Sequence, residues 1–286
     1  MFAMTAIVYG LFGLIIGSFL NVVIIRSHTG RSLAGRSGCL ECGAALTPLM
    51  LVPVISWVFQ RGKCVACESR ISLQYPLVEL TTAAFFVSVG MTEMHLVPTI
   101  LALMFMALIV CIIAYDMRHT IIPDEWVYAA ALLALSMHLW PLLQTQFSIS
   151  EAILVLLSGP FVAAPIFLLW FMTRGRGIGL GDAKLALAIG WFLGVGYGLI
   201  AIMLAFIIGA AVSVFILLPM PVYARALARW GLLQRTVNKA FTMKSEVPFG
   251  PFLAAGLLLI WFSIIFDTET AMFGWLGLDS ILAGSL

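Results

Sequence analysis

Charge is what this chain of 286 residues has least of. Lys, Arg, Asp and Glu together make up 10% of it, against 63% hydrophobic residues and a mean hydropathy of +1.12. A soluble domain cannot cover so much apolar surface, so a polytopic membrane protein is expected. Also lacking are a Walker phosphate loop, a glycine fingerprint after a strand, and a Ser/His/Asp motif. The four histidines, His28, His95, His119 and His138, are scattered and form no ligand cluster with one another. The basic residues are spread through loops and not massed in one segment, so no nucleic-acid partner is implied. The first 25 residues lack a basic n-region and a clear small-residue cleavage site, and read as a retained span.

The scarce charges are patterned. Apolar runs long enough to span fall near 4–25, 74–92, 96–115, 125–143, 151–173, 182–196, 198–220 and 249–266. The sixth and seventh share one run, broken only by glycines at 190, 194, 196 and 198. With eight spans, all 15 Lys and Arg fall in the 1–2, 3–4, 5–6 and 7–8 loops, and none in the opposite loops or tails. The positive-inside rule makes the basic side cytoplasmic and puts both termini outside. The expectation is an all-α bundle of about eight transmembrane helices with a small cytoplasmic zinc-ribbon-like insert. Its parts are a first span at 1–26, a cytoplasmic loop domain at 27–73 and a membrane domain of seven further spans at 74–286. The 221–248 loop alternates Val222, Leu227, Trp230 and Leu233 with basic residues, and reads either as an interfacial segment or as a solvated linker.

The first loop carries Cys39-Leu-Glu-Cys42 and Cys64-Val-Ala-Cys67, with 21 residues between the pairs. Two such knuckles match the ligand pattern of a structural zinc site. Disulfides are the competing account, and a reducing cytoplasmic loop disfavours them. Four thiolates close the shell, so the zinc is expected to be structural and not catalytic. Cys111, inside the third span, reads as a packing residue.

Two carboxylates stand out. Asp182, in Gly179-Leu180-Gly181-Asp182-Ala183-Lys184, opens a long apolar run. Taken alone it is equally a helix cap or a functional carboxylate. Asp116 ends the third span, where the helix dipole disfavours a negative charge, so capping does not explain it. The eight-span topology puts both at the cytoplasmic face. Two carboxylates that share a proton can activate water and polarise a carbonyl, which is peptide hydrolysis without metal or serine. Gly179 and Gly181 suit close passage of a substrate strand, and Lys184 either binds substrate or, in the preferred reading, marks the interface. Asp124 and Glu125 read as helix-start residues after Pro123.

These motifs resemble those of the type IV prepilin peptidases. The likeness runs through Gly17-Ser18-Phe19-Leu20-Asn21-Val22-Val23-Ile24-Ile25-Arg26, the two cysteine pairs around Val52-Pro53-Val54-Ile55-Ser56-Trp57, and Ile71-Ser72-Leu73-Gln74-Tyr75-Pro76-Leu77-Val78-Glu79. It continues through Asp116 to Pro123, Gly179 to Lys184, and Pro248-Phe249-Gly250-Pro251. The resemblance implies catalytic Asp116 and Asp182, and a membrane aspartic endopeptidase of the bacterial inner membrane. It implies cleavage of a basic leader from prepilins and pseudopilins on the cytoplasmic side, after a glycine. It also implies N-methylation of the new terminus from S-adenosyl-L-methionine, because the loop with both cysteine pairs is similar to that of the bifunctional members. Two departures stand in the chain: Pro48-Leu49-Met50-Leu51 where relatives often have polar or acidic residues, and Arg118 where many have an acid. Position 118 is therefore left out of the catalytic set. Two other readings share the paired carboxylates. One is a presenilin-like protease cutting within a span, against which the cysteine loop and the first-span signature argue. The other is a proton or cation transporter, for which no internal repeat is visible.

Overall fold

The computed structural model describes residues 2–30, 32–92, 94–144, 149–217 and 248–265. The α-helices among them are α1 (Phe2–Thr29), the short α2 (Ile55–Phe59), α3 (Gln74–Gly90), α4 (Leu96–His119), α5 (Asp124–Gln144), α6 (Ile149–Thr173), α7 (Leu180–Val212) and α8 (Gly250–Ile265). A 3₁₀ turn at Pro48–Leu51 precedes α2, and a π turn at Ser213–Leu217 follows α7. No β-strand occurs among the described residues, only the isolated bridges Gly38–Ala45 and Lys63–Arg70. The chain is an all-α membrane protein. The 221–248 loop, apart from Pro248, lies outside the described residues, as does the tail after 265.

The chain divides into two compact units, one of residues 1–118 and 122–156, the other of residues 119–121 and 157–286. In the first, α1 packs against α3 along small residues. A Cβ on Gly13 would stand 2.6 Å from the Ala83 Cα, and one on Gly17 would stand 2.7 Å from the Glu79 Cα. Lipid offers apolar side chains no gain from burial, so helices associate where backbones can approach this closely. Gly13, Gly17, Leu20, Asn21 and Ile24 line the buried face of α1, while Met4, Ile7, Leu11 and Ile15 are exposed on another. An exposed aliphatic stripe of this kind suits hydrocarbon and not water. Buried hydroxyls bond back into their own helices, Thr82 to the Val78 carbonyl at 2.7 Å and Ser88 to Phe85 at 2.7 Å. Such bonds keep these two hydroxyls from standing bare among apolar neighbours.

In the second unit α7 is not one rod. Gly194 has φ 76° and ψ −178°, conformations outside the helix. A Cβ on Gly198 would lie 3.4 Å from the Gly190 Cα. Eight residues of straight helix would separate these positions by about 12 Å. The chain therefore reverses at Gly194, and residues 180–193 and 195–212 form two antiparallel arms. This is the expected pair of spans, with its break two residues before the 196–198 boundary read from sequence. The break falls at Gly194 because that residue takes the left-handed φ, which costs glycine nothing. Val162 of α6 fills the space beside both Gly190 and Gly198, and the Ser158 hydroxyl donates to the Gly190 carbonyl at 3.1 Å. The second arm packs on α8, where Gly256 lies over the Ala201 carbonyl, and on the residue just before it, where Phe206 meets Phe249 with ring centroids 4.9 Å apart.

The reversal predicts an asymmetry between neighbouring glycines. Gly194→Ala forces a residue with a Cβ into φ 76° and ψ −178°, a region essentially confined to glycine, at a cost of about 1–3 kcal/mol. Gly196→Ala, at a position with no left-handed φ, is expected to leave thermal stability in detergent nearly unchanged. Equal unfolding temperatures for the two variants would argue for a straight helix.

Candidate active site and metal centre

The two carboxylates singled out in the sequence are both buried, Asp116 at 3% exposure and Asp182 at 7%. Asp116 lies in the last turn of α4, because that helix runs on to His119 and does not end at 115 as its apolar run does. Beyond it the chain turns through Thr120, at φ 53°, into α5. Tyr115 and Trp126 meet edge to face, with centroids 5.3 Å apart, and tie α4 to α5 on either side of the turn. Asp124 and Glu125 occupy the exposed first turn of α5, as a helix-start role requires. Arg118 is exposed and directs its guanidinium at the Gln74 side-chain oxygen, 3.4 Å away on α3. Cys111 is buried in α4.

Asp182 is the third residue of α7, in the second unit. Its Oδ2 accepts the backbone N–H of Gly179 at 3.0 Å. That is the reciprocal half of a capping box, satisfying a donor the helix start leaves orphaned. The capping reading of Asp182 is thus realised in the structure. Gly179 has an ordinary extended backbone, φ −74° and ψ 151°. What makes glycine useful there is space: a Cβ would stand 3.3 Å from Asp182 Oδ2. Gly181 and Lys184 are half-buried in the first turns of α7.

The four paired cysteines come together, with every Sγ within 4.8 Å of the others. Cys39 Sγ and Cys67 Sγ are 3.9 Å apart. Sulfurs in a tetrahedral shell with metal–sulfur bonds of about 2.3 Å sit about 3.8 Å from one another, so the four thiols fit one metal ion. All five cysteines are free thiols in this structure. Among the described residues no other group of three His, Cys, Asp or Glu is so placed.

The two knuckles are backbone copies. Cys39 N–H donates to Ala44 O at 2.9 Å, and Cys64 N–H to Ser69 O at 2.8 Å. Gly43 N–H returns to Cys39 O at 3.0 Å, and Glu68 N–H to Cys64 O at 2.9 Å. The left-handed residue is Gly43 in one, at φ 72°, and Glu68 in the other, at φ 57°. These turns aim N–H groups at sulfur. The amides of Cys42 and Glu41, with the Ser69 hydroxyl, bring the Cys39 pKa down to about 6. The Ser69 hydroxyl likewise lowers that of Cys67. Cys42 accepts the Ala44 amide, yet the thiols crowded around it push it up to about 11.

Sequence reasoning missed Glu79. It is 6% exposed in α3, accepts the Val54 N–H at 2.7 Å, and is hydrogen-bonded by the Ser18 side chain. An acid inside an apolar span was the available signal. The first-span signature is explained around it. Gly17 lets α1 reach the Glu79 backbone, Ser18 bonds its carboxylate, and Asn21 Nδ2 donates to Tyr75 O at 3.1 Å. Arg26 donates to the carbonyls of Ser32, Leu33 and Ala34 at 2.8–3.0 Å, and to Arg36 at 3.2 Å, which folds the start of the loop.

Residues 11–92 match the Bacterial Peptidase A24 N-terminal domain and residues 100–214 the Type IV leader peptidase family. A Bacillus subtilis protein called prepilin leader peptidase/N-methyltransferase is 32% identical over 254 residues, covering 87% of this chain and 90% of its own. The chain belongs to the type IV leader peptidase family. It is a membrane peptidase of that family. Proteins of the same name are 30% identical in Aeromonas hydrophila, covering 88% and 89% of the two chains, and 27% identical in Dichelobacter nodosus, covering 93% of each. No solved structure matches.

The cysteine cluster carries a test of its own. One metal ion per chain is expected in the purified leader peptidase by elemental mass spectrometry, and none in a Cys64→Ser/Cys67→Ser variant. Protons compete with metal for thiolates. Metal is therefore expected to be released progressively as the pH is lowered. Retention of metal by the double variant would refute the four-cysteine shell.

Proposed function

We propose that this leader peptidase is an aspartic endopeptidase whose two carboxylates are Asp116 and Asp182. It removes the basic leader of type IV prepilins and pseudopilins, after a glycine, on the cytoplasmic side of the bacterial inner membrane. The observation that carries this reading is the burial of two carboxylates at helix ends in a family of peptidases, Asp116 closing α4 and Asp182 opening α7. Both adjoin the loops that hold the chain's Lys and Arg, which supports a cytoplasmic face and external termini.

In the reaction one ionised carboxylate takes a proton from water as its oxygen attacks the scissile carbonyl. The other, protonated, donates to the carbonyl oxygen. Collapse of the tetrahedral intermediate then expels the amine, which leaves with a proton. Neither step needs a metal. The Gly179 amide holds Asp182 through one oxygen. Gly181, without a side chain, leaves room for the substrate backbone, and Lys184 marks the interface. A leader rich in basic residues complements the acids it must approach.

Zinc in the Cys39, Cys42, Cys64 and Cys67 shell is structural. The relatives' name and the presence of the full cysteine loop support N-methylation of the new amino terminus, with S-adenosyl-L-methionine as the methyl donor.

Mass spectrometry of a prepilin incubated with the purified enzyme tests both activities. Wild type is expected to release the leader. Asp116→Asn and Asp182→Asn are each expected to lose at least about 10²-fold in rate, the lower range for one acid–base group. With S-adenosyl-L-methionine the mature product gains one methyl group. Cleavage persisting at the wild-type rate in either variant would overturn the dyad, and an unmethylated product would overturn the second activity.

A further inference from the structure

The loop between α1 and α3 carries an apolar surface that neither the metal nor the aspartates use. Leu49 is 81% exposed, Phe59 83%, Val58 59% and Ile55 54%. They belong to residues 48–60, a stretch with no charged residue. In water such a cluster is a liability.

Glu79 fixes the depth of this segment. The helix that carries it, α3, has 17 residues. At 1.5 Å per residue that is about 25 Å, so all of it is needed to cross a hydrocarbon core of about 30 Å. Glu79 lies five residues beyond Gln74, about 7.5 Å into the span by helical rise. Its carboxylate holds the Val54 amide at 2.7 Å. Val54 therefore sits below the membrane surface, not above it.

The backbone there is prepared for that environment. Ser56 N–H bonds Val52 O at 3.0 Å, Val58 N–H bonds Val54 O at 3.0 Å, and Gln60 N–H bonds Ser56 O at 2.9 Å. Val54 itself is held at φ 60° and ψ −52°, a region foreign to β-branched residues. The bond to Glu79 compensates. Trp57 donates its indole N–H to Ile71 O at 3.3 Å, with its ring against Gly62, and so joins the segment to the second knuckle. The exposed Arg61 and Lys63 follow immediately, and the exposed Arg70 comes after the second knuckle. Apolar residues beside a basic rim are the pattern of an interfacial anchor facing anionic lipid.

We infer that residues 48–60 are a re-entrant element, inserted into the leaflet from which α3 starts and pinned there by Glu79. The occupant of its apolar face is phospholipid. The metal-binding knuckles are thereby fastened to the membrane surface at two points, through α3 and through this segment. This inference is independent of which residues catalyse.

The full-length protein, in vesicles of phosphatidylcholine and phosphatidylglycerol, is given a photoreactive benzoylphenylalanine at 49 or 59. Position 11 on the outer face of α1 serves as the lipid-exposed control and position 41 on the first knuckle as the solvated one. Lipid adducts are expected at 49, 59 and 11 and not at 41, by mass spectrometry. In a Glu79→Ala background the yield at 59 is expected to fall several-fold while that at 11 stays. Adducts at 11 with none at 49 and 59 would overturn the proposal. So would adducts at 49 and 59 only to protein, whether a second copy or an added prepilin.

Discussion

A carboxylate that most of the first unit closes around is the physical hinge of this structure. Glu79 is buried in an apolar helix of a membrane protein, where an unsatisfied acid would be expensive. It takes a hydroxyl from α1 and an amide from the loop, and the helix carrying it receives α1 at glycine contact distance. Removing either partner leaves a buried polar group unmatched, which costs more than the bond itself contributes. The loop between α1 and α3 is thus not an appendage. Its start is gathered by Arg26, its middle by Glu79 and its end by the knuckle that leads into α3.

Where lipid surrounds the helices, side-chain burial contributes little and close approach decides packing. The same device recurs in both units. Gly13 and Gly17 admit α3 onto α1, while Gly190 and Gly198 admit each other across the reversal in α7. Beside that reversal Val162 and Ser158 of α6 provide the shape and the hydrogen bond. Larger aromatic contacts then fasten α8 and the residue just before it, with Phe192 against Trp261 at 5.6 Å and Phe206 against Phe249 at 4.9 Å. Two spans joined by a single residue need that close fit, because no loop remains to absorb a mismatch.

Much of this was legible in the residues. The placement of every Lys and Arg in alternate loops demanded an even number of spans, hence a break within 182–220, and Gly194 is that break. Four cysteines in two pairs announced a metal shell before any geometry was known. What the chain did not display were properties of pairs. Glu79 was visible as an acid in an apolar run, but its partner Val54 lies 25 residues away and bonds through backbone, which carries no sequence signal. The equivalence of Gly43 and Glu68 was hidden for a similar reason. Only φ makes them alike, and glutamate is not a residue from which a left-handed turn is inferred.

The segment Gly179 to Asp182 shows that a carboxylate used in capping a helix is also held as the proposed catalytic role requires. A catalytic carboxylate must be held before the substrate arrives, since ordering it during the reaction raises the barrier. A helix start supplies fixed amides for that purpose. Asp182 uses one oxygen on the Gly179 amide while the helix it opens supports it from behind. A Cβ at position 179 would crowd the same oxygen at 3.3 Å, so the carboxylate would have to shift by a few tenths of an ångström. The first glycine of the motif is therefore explained by the aspartate three residues on. An ordinary surface cap would leave the side chain in water. Burial to 7% removes that freedom and leaves a carboxylate held in place by its own helix.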